Sequence, residues 1–227
     1  MKLRTILIHD PHPTSLVVTR NMIHSRDGLR VGGESEDFDR LLVLGKNSMA
    51  DMLVMEIGEF GEIAEADDAE RGIANLAVFH LRFPSIPILV LSRRDETMYA
   101  RMAVRMGARG YVMKHEPQAR IADAVQTVLS GRVYLSRAAT HHLLMGQVGV
   151  RIGIFRGFNG DVSRLSHREL AIFRLLGLGL SADRIADSLQ VTIRTVYTHS
   201  SSIRKKMRLE RSTNLSSLAE AWLHRTP

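Results

Sequence analysis

The chain has no cysteine in its 227 residues. That excludes a disulfide framework, a thiolate zinc site and a cysteine nucleophile. No apolar run reaches the roughly 18 residues of a membrane span, and the opening MKLRTILIHD lacks the long apolar core of a signal peptide. A soluble, cytoplasmic protein with no membrane partner is expected. Walker loops, dinucleotide fingerprints and nucleophile elbows are all missing, so no enzyme activity and no cofactor are expected. His9, Asp10 and His12 lie close together, and His141 and His142 are adjacent. Neither group has a carboxylate–histidine arrangement at helical metal spacing, and no metal site is expected.

What the chain does have is 44% hydrophobic residues, enough for two small cores. Its most informative stretch runs from Leu165 to Met207. Ser166 with Glu169 three residues later forms a capping-box pattern, so a helix should start there and bury Leu170, Phe173 and Leu176. Gly177 and Gly179 loosen its end. Ser181 can cap a second helix that turns Ile185, Ala186 and Leu189 inward, and Thr192 can cap a third. On the third, Val196, Ser200, Ile203 and Met207 share one side. Arg194, Tyr197, Thr198, Ser201, Arg204 and Lys205 share the other. Such a face suits a helix placed in the major groove of DNA, and equally suits a solvated face of an ordinary bundle.

Charge is unevenly spread. The net charge is +7, with a pI near 10.2. Residues 1–130 hold 16 basic and 18 acidic groups, residues 131–160 hold four Arg and no acid, and residues 161–227 hold 11 basic and 6 acidic groups. The positive excess therefore lies in the C-terminal half, where phosphate would be engaged.

The N-terminal half alternates short apolar runs with helical patterns. Thr5 to Ile8, Leu29 to Gly33, Met52 to Ile57, Ile86 to Leu91 and Gly110 to Met113 read as strands. Five βα units in about 130 residues imply an open, doubly wound five-stranded parallel sheet with helices on both faces. Functional groups in such a sheet gather beyond the carboxyl ends of the strands. Those ends carry His9, Asp10, Glu56, Ser92 and Lys114.

The segment after Leu165 resembles the helix-turn-helix of the LuxR/NarL/FixJ regulators. Leu165, Ser166, Arg168 and Glu169 match the family's opening, followed by Ile185, Ala186 and Leu189. Thr195, Val196, His199, Ile203, Lys206 and Met207 match its recognition helix. Tyr197 stands where the family commonly has Lys; a phenol cannot supply that cationic contact to guanine or phosphate. The resemblance implies base contacts from Tyr197, Thr198 and Ser201, with Thr195 on the same helix. It implies phosphate contacts from Arg194, Arg204, Lys205 and Lys206.

Residues 1–130 resemble a response-regulator receiver domain of two-component systems. Asp10 matches one member of the family's acidic pair, Ser92 the hydroxyl after the fourth strand and Lys114 the lysine after the fifth. Tyr111 matches the aromatic that rotates on activation. Two elements depart from the pattern: Pro11 occupies the second acidic position, and Glu56 stands where the phosphoacceptor Asp belongs. Magnesium needs several oxygen ligands in near-octahedral geometry, and Pro11 offers no side-chain oxygen. An in-line attack on phosphorus tolerates little misplacement, and Glu56 is one methylene too long. A contact between Glu56 and Lys114, joined by Ser92, is expected instead. It either imitates activation or is a structural ion pair.

Residues 58–73 carry six acids and are expected to form a solvated loop. Residues 131–160 are expected as a linker, with Val148, Val150, Ile152 and Ile154 in a period-two pattern that leaves strand and tether both open. The implied protein has a receiver at 1–130, a linker at 131–160 and a small all-α helix-turn-helix domain at 161–227. It is expected to be an atypical transcriptional regulator that binds double-stranded DNA as a homodimer, with an unidentified protein or small-molecule input. A conventional phosphorylated regulator and an adaptor without DNA binding are the alternatives.

Overall fold

The computed structural model describes residues 3–58, 66–141, 162–209 and 213–224. It divides into two compact units, residues 1–141 and 142–227. The first is a βα alternation: β1 Arg4–His9, α1 Pro13–His24, β2 Leu29–Ser35, α2 Phe38–Asn47, β3 Met52–Met55, α3 Ala66–Arg82, β4 Ile88–Ser92, α4 Glu96–Met106, β5 Ala108–Met113 and α5 Gln118–Leu129. The strands lie in the order β2-β1-β3-β4-β5, and every pair is parallel. This is the doubly wound sheet expected. The central strand β3 is buried along its whole length, as a strand covered on both faces must be. Ile6, Ile8, Val54 and Leu89 pack with α1 and α5 residues such as Ile23, Ile121 and Val125 on one side of the sheet.

Two expectations are corrected here. The acidic stretch 58–73 is not a loop throughout, because α3 begins at Ala66. Asp67, Asp68 and Glu70 therefore fall within a helix. Residues 59–65 lie outside the described residues. Further along, Gly72 lies so close to β3's end that a Cβ there would fall 1.9 Å from the Ile57 carbonyl oxygen.

The linker also starts later than residue 131. Tyr134 forms a parallel bridge with Gly110, accepting from the Tyr111 N–H (3.1 Å) and donating to the Arg109 carbonyl (3.0 Å). Ser136 donates to Glu96 at the start of α4 (2.6 Å) and accepts from the Ala139 N–H (3.0 Å), opening a helical stretch at residues 137–141. A buried edge amide needs a partner, and this segment supplies one to Tyr111. The alternating pattern from Val148 to Ile154 lies outside the described residues.

The second unit holds α6 His167–Gly177, α7 Ala182–Leu189, α8 Ile193–Lys206 and α9 Leu215–His224. Each of the first three is capped by the residue expected: Ser166 in a full capping box, Ser181 and Thr192. In α6 the large buried apolar side chains are Ile172, Phe173 and Leu175, with Ala171 and Glu169 also buried, whereas Leu170 and Leu176 are only half-buried. The helix is enclosed on more than one side, so its burial does not follow a single stripe. α9 packs closely against its end: a Cβ on Gly177 would lie 2.7 Å from the Ala219 backbone.

Candidate functional sites: a buried carboxylate–lysine cluster and the exposed face of a helix

At the carboxyl ends of β1, β3, β4 and β5 the sheet brings Asp10, Glu56, Ser92 and Lys114 together. All four lie one residue past the strand or at its last position, so parallel register places them side by side. Lys114 is the hub. Its ammonium meets Asp10 Oδ2 at 2.5 Å, Glu56 Oε2 at 2.8 Å and Ser15 Oγ at 2.7 Å. Those three contacts use the three donors an ammonium has.

Glu56 is equally engaged. Its Oε1 accepts from the Ser92 hydroxyl and from the backbone N–H groups of Ile57 (2.8 Å) and Gly58 (3.2 Å). Ser92 is fully buried, and its Oγ also accepts from the Arg94 N–H at 3.1 Å. Asp10 Oδ1 accepts from the His12 N–H at 3.0 Å. The carboxylates of Asp10 and Glu56 are thus both occupied by protein donors. Pro11, between Asp10 and His12, contributes no oxygen to the cluster.

These residues do not fit a magnesium ion. The second acid is absent, and the oxygens of the remaining two face Lys114, Ser92 and backbone amides. Among the described residues, no group of three or more His, Asp or Glu could hold a metal.

Tyr111 is completely buried, with its hydroxyl donating to the Arg94 carbonyl at 2.8 Å. Burial pushes the phenol's pKa well up, and the neighbouring Glu56 adds to that rise, so the ring stays neutral. On the other side of the cluster His9 is buried, its Nδ1 3.1 Å from the Ser35 carbonyl. Burial lowers its pKa and keeps the imidazole neutral, against smaller opposing effects from Ser35 and Asp10.

In the second unit, α8 separates into two faces. Val196, Ile203 and Met207 are buried. Arg194, Tyr197, Thr198, Ser201 and Lys205 are exposed, and Tyr197 is 61% exposed despite its ring. Thr198 donates to the Arg194 carbonyl (2.9 Å), and its hydroxyl oxygen keeps its acceptor capacity. Thr195 is half-buried, its hydroxyl 2.9 Å from that of the cap Thr192.

Two cations expected to contact phosphate, Arg204 and Lys206, have partners within the second unit. Lys206 pairs with Glu169 of α6 at 2.7 Å, because its position three residues beyond Ile203 turns it toward the core. Arg204 donates to the Thr213 carbonyl, tying α8 to the segment before α9. Sequence reasoning missed both partners. The Glu169–Lys206 contact joins positions 37 apart, and neither period nor spacing signals such a pair.

Residues 163–219 match the family model described as bacterial regulatory proteins, luxR family. That match lies within the second unit. Over nearly the whole length, the chain is 29% identical to the virulence factors putative positive transcription regulator BvgA of Bordetella pertussis, covering 95% of this chain and 93% of that protein. It is 28% identical to the oxygen regulatory protein NreC of Staphylococcus carnosus, covering 92% of this chain and 94% of that protein. The fold matches that of RcsB from Salmonella enterica serovar Typhimurium bound to promoter P1flhDC, with a TM-score of 0.55 and 20% identity over 99% of each chain.

Proposed function

We propose that the protein is a transcriptional regulator that binds double-stranded DNA as a homodimer in the cytoplasm and works without phosphorylation of its receiver. The observation that carries the last part is the closed set of contacts around Glu56: Lys114 on one oxygen, Ser92 and two backbone amides on the other. A phosphoryl acceptor needs an accessible oxygen aligned with phosphorus and a cation to neutralise the developing charge. Here the oxygens are taken and the metal ligands are incomplete.

The same contacts favour imitation of the activated state over a purely structural ion pair. Ser92 is drawn onto the Glu56 carboxylate, and Tyr111 lies inward and buried. In receivers that this chain resembles, inward rotation of the aromatic accompanies activation. The DNA reading rests on the luxR-type domain and on the exposed Arg194, Tyr197, Thr198, Ser201 and Lys205 of α8. The input is then a protein or small molecule rather than a phosphodonor.

The test is incubation of the full chain with magnesium and acetyl phosphate, followed by intact-mass measurement and DNA titration. No added phosphate and unchanged affinity are expected, with dimers already present in sedimentation. Stoichiometric acid-labile phosphate would overturn the phosphorylation-independent reading and leave a conventional regulator. Absence of salt-dependent DNA binding would leave the adaptor.

A further inference from the structure

The start of α8 carries two large apolar side chains that the fold does not enclose. Among the described residues of the second unit, Ile193 and Tyr197 are exposed, while every other large apolar side chain is buried or half-buried. Ile193 is 42% exposed at the first position of α8, and Tyr197 follows one turn later. Residues four apart are neighbours on a helix surface, so the two make one apolar strip at the N-terminal end. Such a strip gains free energy when a partner covers it.

The surroundings of the strip define that partner. Arg194 stands beside it and Lys205 lies further along the same helix, both exposed, and α8 contains no acidic residue. The threonine hydroxyls nearby are engaged within the helix: Thr195 with Thr192 at 2.9 Å, and Thr198 with the Arg194 carbonyl at 2.9 Å. Two apolar side chains fall far short of the roughly 20–30 residues a side that a stable protein interface uses. DNA suits both properties. Its phosphates meet the cations, and each thymine presents a 5-methyl group in the major groove. In a helix-turn-helix docked on DNA, the N-terminal residues of the groove-bound helix meet base edges, and the strip lies at that end.

We propose that Ile193 and Tyr197 read thymine by packing on its 5-methyl group, which makes Ile193 a specificity-determining residue beside Tyr197. Thymine contact presupposes the DNA binding proposed for the second unit and adds the base chemistry that it selects. Cytosine lacks the methyl, and its N4 amino group would lie against Ile193 without an acceptor.

Duplexes selected from random DNA by the full chain supply the probe, with thymines replaced one at a time by deoxyuridine. That change removes the methyl and keeps the hydrogen bonds of the base pair. Affinity is measured by titration over a range of salt. At one or more thymines the replacement should weaken binding on the order of fourfold, the scale for burying one methyl group, with the salt slope unchanged. Ile193→Ala and Tyr197→Ala should each erase the penalty at the thymine that the side chain covers and leave the other in place. Ile193 is exposed and Ala is a good helix former, so the melting of the second unit should hold in Ile193→Ala. Selected duplexes in which no deoxyuridine weakens binding would overturn the proposal and leave DNA binding itself intact. A penalty that persists undiminished in both alanine variants would overturn it too, and the strip would then belong to a protein contact. Absence of salt-dependent binding to any DNA would remove the DNA-binding function, and thymine reading with it.

Discussion

Lys206 of α8 and Glu169 of α6 form an ion pair at 2.7 Å, and that pair ties α8 onto α6. Glu169 also accepts from Ser202 Oγ at 2.6 Å and from the Ser166 N–H at 2.7 Å, so one carboxylate serves as both helix cap and inter-helix tie. Burial pushes its pKa up. The hydrogen bonds from Lys206, Ser202 and Ser166 outweigh that and hold the carboxyl at about 2, below its ordinary 4.5.

A carboxyl whose folded pKa is depressed stabilises the fold above its unfolded pKa and loses that contribution as pH falls. The second unit should therefore keep the full contribution of Glu169 above about pH 4.5 and lose it progressively as pH falls toward about 2. Glu169→Gln can retain part of the capping box but not the ion pair. Its melting temperature should be lower than that of the native chain at pH 7, with the gap closing in acid. A gap that is constant from pH 7 to pH 3 would show that Lys206 contributes nothing through charge.

Lys114 predicts a different pattern. Its removal leaves the carboxylates of Asp10 and Glu56 together, both buried, with no cation between them. Breaking a buried pair in this way typically costs about 3 kcal/mol or more. Lys114→Ala should destabilise the first unit by that amount, while the melting of the second unit stays unchanged. Combining it with Glu56→Gln should recover part of the loss, because one uncompensated charge is then gone. Additive losses in the double variant would show that the two side chains do not interact.

How far these sites can be read in the sequence differs between them. The pocket residues end consecutive strand-like runs, so parallel register alone gathers Asp10, Glu56, Ser92 and Lys114. The helix caps follow from Ser166, Ser181 and Thr192 standing before apolar periodicity. The α3 boundary was less legible, because six acids spread among Gly, Ala and two large apolar residues suit a solvated loop as well as the start of a helix. Ser15 as a partner of Lys114, 99 positions away, leaves no trace in local pattern. Nor does the segment at Tyr134, whose pairing uses backbone groups that every residue possesses.

That segment yields its own prediction. The Tyr134 N–H and carbonyl bond to Arg109 and Tyr111, and its side chain packs against the core beside α5. A chain ending at residue 130 loses these contacts and leaves the β5 edge open. At about 1 kcal/mol net per hydrogen bond, two lost bonds should lower the melting temperature by roughly 8 °C for a domain of this size. The comparison is with a chain ending at residue 141. Equal melting temperatures would mean that the bridge adds no stability, and the Tyr111 amide should then exchange equally fast in both.

The α8 face carries the prediction that bears most directly on function. Lys205 is exposed, whereas Lys206 is held by Glu169. Lys205→Ala should weaken binding to all DNA sequences and lower the salt slope by about one unit. Lys206→Ala should change the slope less and lower the stability of the second unit more. Tyr197 stands between Arg194 and Ser201 on the outer face and is 61% exposed. A ring so placed gains burial when DNA covers it. If it reads a base, Tyr197→Ala should reduce discrimination between a selected site and scrambled DNA by roughly 1–3 kcal/mol. Tyr197→Lys should instead raise affinity for both, since it adds a phosphate-seeking charge without a matched base edge. The measurement is affinity for the two DNAs over a range of salt. Equal losses on both DNAs for Tyr197→Ala would show that the ring contacts the backbone alone, and sequence reading would then pass to Thr198 and Ser201.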